Sequence, residues 1–120
     1  MVMRVPKKGE IWYVDPDPSL GRELRKPHYF IVISEQVLNK ALGVAICCPI
    51  SSGGKAARSQ SVTVVLDGAS TKSGAVTGVI LCHQIHSLDL NARNAKFATV
   101  AEPHLIDEVV MKLVDLIDPQ

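Results

Sequence analysis

The chain has 120 residues, 47% of them apolar and 21% charged, with 13 Lys and Arg against 12 Asp and Glu for a formal charge of +1. That length supports a single domain over residues 1–120 with a real core and excludes two ordinary domains, and the composition excludes a disordered chain. The near-neutral balance excludes a polycationic binder, so any anion-binding role has to come from local clustering of charge.

The start, MVMRVPKKGE, lacks the apolar centre of a signal peptide and no apolar run approaches a membrane span, so a cytoplasmic protein is expected. EIWYVD at 10–15 mixes aromatic and β-branched residues and stops at DPDP, whose prolines forbid regular continuation; it reads as a strand followed by a loop. The loop from Pro16 to Pro27 is long for a hairpin and holds Gly21 and most of the local positive charge. HYFIVIS (28–34) is continuously apolar, which predicts a strand buried on both faces. EQVLNKA carries helix formers and a polar face and predicts one short helix ended by Gly43. GVAICCPI is a second buried strand, ended by Pro49 and the small polar run SSGG.

SVTVVL (61–66) alternates as a half-exposed strand, DGASTKSG is a turn region, and AVTGVILC (75–82) resumes the sheet. Gly78 inside that last strand predicts a bulge or the close approach of another backbone. HSLDL and KFATVA are short strands flanking a single helical turn at LNARN. The chain closes on PHLIDEVVMKLVDLID, where Leu105, Ile106, Val109, Val110, Leu113, Leu116 and Ile117 fall on one helical stripe and Pro103 stands at the helix start. Short strands in series with one terminal amphipathic helix predict a mainly β chain with short helices, a strongly curved sheet or small barrel with a helix packed on it.

The three cysteines are odd in number, and Cys47 and Cys48 point to opposite faces if they lie in a strand, so reduced thiols fit better than a disulfide framework. Cys48, Cys82, His83 and His86 lack the spacing of a zinc site, and SSGGKAAR lacks the GK[ST] end of a P-loop. No metal or other cofactor is expected. Four polar clusters remain. Arg22, Glu23, Arg25 and Lys26, leading into His28, are either a solvated loop or an anion clamp with a titrating group at its end. Ser51, Ser52, Gly53 and Gly54, with Lys55 and Arg58 behind them, are either a turn or a set of hydroxyls and amides for phosphate oxygens. In a strand, His83 and Ile85 face one way and Gln84 and His86 the other. Asp89, Asn91, Arg93 and Lys96 read as a capped surface turn. Together these are the parts that metal-free RNA cleavage uses: a base for the 2′-OH, an acid for the 5′-oxygen, and cations for the extra transition-state charge. Simple RNA binding uses the same parts.

GEIWYVD, DPSLGRE, a buried strand, CPISSGGKAAR and GVILCHQIHSLDLNAR, in that order along nearly the whole chain, resemble the PemK/MazF family of type II toxin–antitoxin ribonucleases, including its Kid members. The resemblance implies an SH3-like, CcdB-like β-barrel with a C-terminal amphipathic helix, a homodimer, and a sequence-specific endoribonuclease that cuts single-stranded mRNA by 2′-OH attack. It implies a cognate antitoxin with an acidic flexible C-terminal segment, DNA reached only through the antitoxin complex, and no membrane partner. Glu10 matches the acidic residue of the family's GEIW or GDIW motif, Arg22 and Glu23 stand at its GHE or GSE loop, and Ser51 takes the position of a threonine in its PIT or PVT motif. The departures are equally specific. The Arg-Pro that opens the second strand becomes His28-Tyr29, and the arginine and aspartate of Kid-like fifth strands become Leu81 and His83.

The expected catalytic set is therefore His28, Arg25, Ser51 and His83, with Glu10, Arg22, Glu23, Lys26, Ser52, Lys55, Arg58 and His86 as RNA contacts. Leu81 and His83 also support another reading, a catalytically weakened RNA-binding or antitoxin-binding module on the same fold. A gyrase poison on that fold has no motif in its favour.

Overall fold

The computed structural model describes residues 4–15, 28–52, 61–73 and 76–119. Strands β1 (Glu10–Val14), β2 (His28–Val32), β3 (Ala45–Ser51), β4 (Thr63–Leu66), β5 (Gly78–Leu81), β6 (His86–Leu88) and β7 (Lys96–Val100) form one antiparallel sheet ordered β4-β5-β3-β2-β1-β7, with β6 also on β3. Helix α1 (Gln36–Leu42) separates β2 from β3, and α2 (Pro103–Ile117) ends the chain. The sheet curls because its two ends are drawn together: Thr71, after β4, bridges Ala101, after β7, while the Lys72 N–H donates to Val100 O at 3.0 Å and the Glu102 N–H to Ser70 O at 2.8 Å. This is the strongly curved, mainly β architecture that the strand pattern predicts.

Both faces of the central strands are buried, as the continuous apolarity of HYFIVIS and VAICCPI requires. Ile11, Ile31, Cys48, Ile50 and Ile80 face one core, which α2 covers with Leu105, Ile106 and Val109. Their chain neighbours Trp12, Val14, Phe30, Val32 and Cys47 face a second core with Leu88 and Leu90. Pro49 does not end β3. It lies within the strand opposite Phe30, fully buried, and β3 runs on to Ser51. No ladder bond is lost because a residue in an antiparallel pair donates toward one side only.

The helices depart from their predicted faces in instructive ways. Gly43 caps α1 at φ 74, donating to Asn39 O at 2.9 Å. The helix, however, buries polar Asn39 and exposes Val37, Leu38 and Leu42. Asn39 donates to Pro6 O at 2.8 Å and Ser34 O at 3.1 Å, and Ser34 Oγ donates to its carbonyl oxygen, so α1 is held by hydrogen bonds to the lead segment rather than by an apolar stripe. On α2 the stripe outlasts the sheet: Leu105, Ile106 and Val109 are buried, Val110 and Leu113 half-buried, and Leu116 and Ile117 exposed. No helix among the described residues is long and apolar enough to cross a membrane.

Cys47 and Cys48 lie on opposite faces, and they and Cys82 are free, buried thiols. Burial pushes Cys47 and Cys48 up to about 12 and Cys82 to about 11 from an ordinary 9.0. The unfolded chain releases these protons near pH 9.0, the folded one only near 11 to 12. Stability from the protonated thiols is thus complete below pH 9 and declines as pH rises toward 11–12. Denaturant midpoints measured upward from pH 8 should fall, and the fall should be shallower in Cys47→Ala.

Candidate functional site

The register of the central strands assembles the site. Val14 pairs with His28 across β1–β2, Tyr29 pairs with Ile50 across β2–β3, and one step along that register His28 stands opposite Ser51. Ser51 in turn pairs with Val79, and Val79 with Val65. Opposed residues of antiparallel strands share a face and bring their Cβ atoms to about 5 Å. Continued by one step, that register sets the side chains of His28 and Ser51, 23 positions apart in the sequence, on the same face of adjacent strands. Both are half-buried, between buried Val14 and Val79, at the end of the sheet where β1 and β3 stop and β2 starts.

Gly78 makes this end possible. A Cβ at Gly78 would lie 2.5 Å from Ser51 O, and its φ of 145 is one that L side chains rarely adopt. The close backbone approach predicted from a glycine inside the strand is the contact that brings β5 to Ser51.

Two residues from Val79 on the same face is Leu81, a diagonal neighbour of Ser51. It is buried and apolar, so β5 offers His28 and Ser51 no acid, base or cation there. Beyond it the strand loops out: from Ile80 to His86 six residues are used while β3 advances three, from Ile50 to Cys47. His83 is exposed on this loop-out, not in a strand as the alternation assumed, although its exposure still contrasts with half-buried Gln84 and His86. His86 re-enters the sheet opposite Cys47, with its ring edge-on to Phe30 at 5.7 Å. Its Nδ1 lies 3.0 Å from Gln84 O. A carbonyl only accepts, so Nδ1 carries the hydrogen and Nε2 of the neutral ring is left as an acceptor. His86 thus shares the face of His28 but stands four residues further along the sheet, about 13 Å at strand spacing.

Glu10 requires a correction. Its carboxylate is 3% exposed and turned inward, bonded to Arg4 at 2.7 Å, the Lys7 N–H at 2.9 Å and Trp12 Nε1 at 3.2 Å. Arg4 also lies over the Phe97 ring at 3.9 Å, and Phe97 meets Trp12 edge to face. The acidic residue of the GEIW motif is a structural anchor that fixes the lead segment and Trp12, and no RNA phosphate would approach a buried anion. Glu10→Gln should lower stability by about 1–3 kcal/mol, through lost charge-assisted bonds, while RNA affinity per folded molecule stays unchanged; chemical denaturation and filter binding would read the two separately.

Ser52 is exposed directly after β3. Arg22, Glu23, Arg25, Lys26, Lys55 and Arg58 lie outside the described residues. The fourth cluster is the capped turn expected of it: Asp89 Oδ1 accepts the Ala92 N–H at 3.0 Å and Asp89 O the Arg93 N–H at 3.1 Å. Lys96 leaves that turn and begins β7 beside Tyr13. Tyr13 and Tyr29, which strand patterning treats only as β-forming residues, form a ring pair on the opposite face of this same end. Among the described residues, no group of three His, Cys, Asp or Glu is placed to hold a metal ion.

Residues 7–117 match the family model of the PemK-like, MazF-like toxin of type II toxin-antitoxin system. Endoribonuclease PemK of Escherichia coli is 30% identical over 107 residues, covering 89% of this chain and 78% of its own. Endoribonuclease toxin ChpB of Escherichia coli (strain K12) is 32% identical over 115 residues, covering 93% and 94%. A chain in the crystal structure of MazE-MazF (Form-III) from Deinococcus radiodurans superposes with a TM-score of 0.80 at 26% identity, over 98% of this chain and 100% of that one.

Proposed function

Because the chain belongs to the PemK-like, MazF-like family of toxins of type II toxin–antitoxin systems, we propose that it is a metal-independent endoribonuclease that cuts single-stranded mRNA and so stops growth. The observation that supports this most is the opposition of His28 and Ser51 at one end of the sheet. In the proposed reaction the ribose 2′-oxygen attacks the adjacent phosphorus, and the neutral His28 ring takes the 2′-OH proton. The new bond is 2′-O–P, the broken bond P–O5′, and the 5′-oxygen leaves with a proton from a second group, His83 or Arg25. The products are a 2′,3′-cyclic phosphate and a 5′-hydroxyl, and no electron or water is consumed. Ser51 donates its hydroxyl hydrogen to a non-bridging phosphate oxygen, and the cations of 22–26 offset the added negative charge.

A homodimer, cytoplasmic residence and an antitoxin partner belong to the same reading. The relative solved as MazE-MazF carries such a partner. An acidic segment with apolar anchors would compete with RNA for the basic loop. The buried, apolar Leu81 favours the second reading, a binding module that has lost its chemistry. Incubating purified protein with single-stranded RNA in EDTA decides between them. Discrete fragments ending in cyclic phosphate support the ribonuclease, and retention on a filter without fragments supports the module.

A further inference from the structure

Tyr13 and Tyr29 pair directly across β1 and β2, on the face opposite to His28 and Ser51. Their rings meet edge to face with centroids 4.9 Å apart and planes at 62°. Tyr29 is half-buried and packed on the core beneath it, beside Ile50, whereas Tyr13 remains 42% exposed. On its other side Tyr13 is paired with exposed Lys96. A bulge makes that pairing: Ile11 opposes Thr99 but Trp12 opposes Phe97, so Ala98 is extra and the register shifts by one. In an unbulged ladder Tyr13 would face Phe97; here it faces a cation. The row Lys96–Tyr13–Tyr29 lies at the strand ends that also carry His28, next in sequence to Tyr29.

An exposed ring braced by a core-packed ring, with an ammonium beside it, has the makings of a single-strand binding surface. The ring offers a face to any base and the cation meets the phosphate of the same nucleotide. Resting on the ribonuclease reading above, we infer that Tyr13 stacks a base of single-stranded RNA next to the phosphate held at His28 and Ser51, with Tyr29 as its brace and Lys96 on the backbone. The strand then crosses the end of the sheet, its reacting phosphate on one face and the stacked base on the other.

The test uses the full chain and a fluorescein-labelled single-stranded RNA pool carrying 2′-O-methyl groups throughout, which removes the nucleophile and leaves binding alone. Fluorescence anisotropy should show Tyr13→Leu binding about tenfold more weakly, with Tyr13→Phe restoring affinity because stacking needs the ring and not the hydroxyl. Lys96→Gln should flatten the slope of log affinity against log salt by about 0.7, the contribution of one phosphate contact on a single strand. Thermal melts by circular dichroism confirm folding of each variant. A folded Tyr13→Leu whose affinity stays within about twofold of wild type overturns the inference, as does a Tyr13→Phe that fails to restore binding. The same holds if Tyr13→Leu weakens only capture of an acidic peptide. If the wild type cuts unmodified RNA and these variants bind normally, the stacking surface alone falls; if the wild type neither cuts nor binds, the ribonuclease reading falls with it.

Discussion

Replacing His28 with alanine should slow cleavage of single-stranded RNA by about 10²-fold or more, the range in which a positioned general acid or base contributes. His28 is half-buried at the first position of β2, so removing its ring leaves the sheet pairing of Val14 and Tyr29 intact. Ser51 keeps its place because its backbone is held by β5 through Val79. A folded, inactive His28→Ala is therefore the expected product, with RNA affinity changed far less than turnover. Added imidazole should recover part of the rate, since the vacated space opens beside Ser51. Cleavage at the wild-type rate across a panel of single-stranded RNAs would remove His28 from the chemistry and leave the 22–26 cations and His83 to carry it.

Among the described glycines, Gly78→Ala should have the largest effect. The new carbon would sit 2.5 Å from Ser51 O, 3.1 Å from Ile50 Cγ2 and 3.3 Å from the Ser51 carbonyl carbon, at a φ of 145 that a side chain resists. Two of these neighbours are backbone and cannot turn away, so either β5 or the end of β3 must move. Overpacking and dihedral strain each contribute about 1–3 kcal/mol, giving a loss of about 3 kcal/mol or more. In a chain of this size that lowers Tm by on the order of 10 °C. Because the clash is with Ser51 itself, cleavage should fall even at temperatures where the variant remains folded. Gly43→Ala is the contrast without a clash: its φ of 74 lies in the left-handed region, and nothing lies within 4 Å of an added carbon. It should cost about 1 kcal/mol, as a side chain in the left-handed region does, and leave cleavage unchanged. A loss in Gly78→Ala no larger than that in Gly43→Ala would show that neither the contact with Ser51 nor the φ of 145 carries the expected cost.

Leu81 frames both results. The resemblance to Kid-like members implies an arginine at the matching position of β5, a charge that this chain lacks. Here that diagonal neighbour of Ser51 is buried leucine, so in the proposed reaction proton transfer and charge stabilisation would fall to His28, His83 and the cations of 22–26.

Element positions were legible in the residues because their causes are local. The aromatic and β-branched run EIWYV, the continuous apolarity of HYFIV, the glycine at position 43 and the terminal amphipathic stripe each act within a few residues of themselves. Gly78 was legible too, since a glycine inside an apolar strand has few uses other than a close approach. Errors arose where a local rule met a neighbour it could not see. Pro49 continues a strand because its nitrogen lies where no ladder partner needs a hydrogen, and α1 turns Asn39 inward because Pro6 and Ser34 offer it partners. Glu10, an acid beside a tryptophan, looks available in the sequence and is consumed by Arg4, Lys7 and Trp12 in the fold.

Residue order alone carried which strand positions are apolar, where the chain turns and the family to which the chain belongs. The fold alone puts His28 and Ser51 on one face of adjacent strands, stands His86 apart from them, and sets Lys96 beside Tyr13 through a one-residue bulge. The physical reason is that alternation along a strand is a property of its own backbone, whereas the residue opposite depends on register. Register is set by the packing of two cores and by bulges elsewhere in the sheet, and a shift of one residue replaces every neighbour in a row.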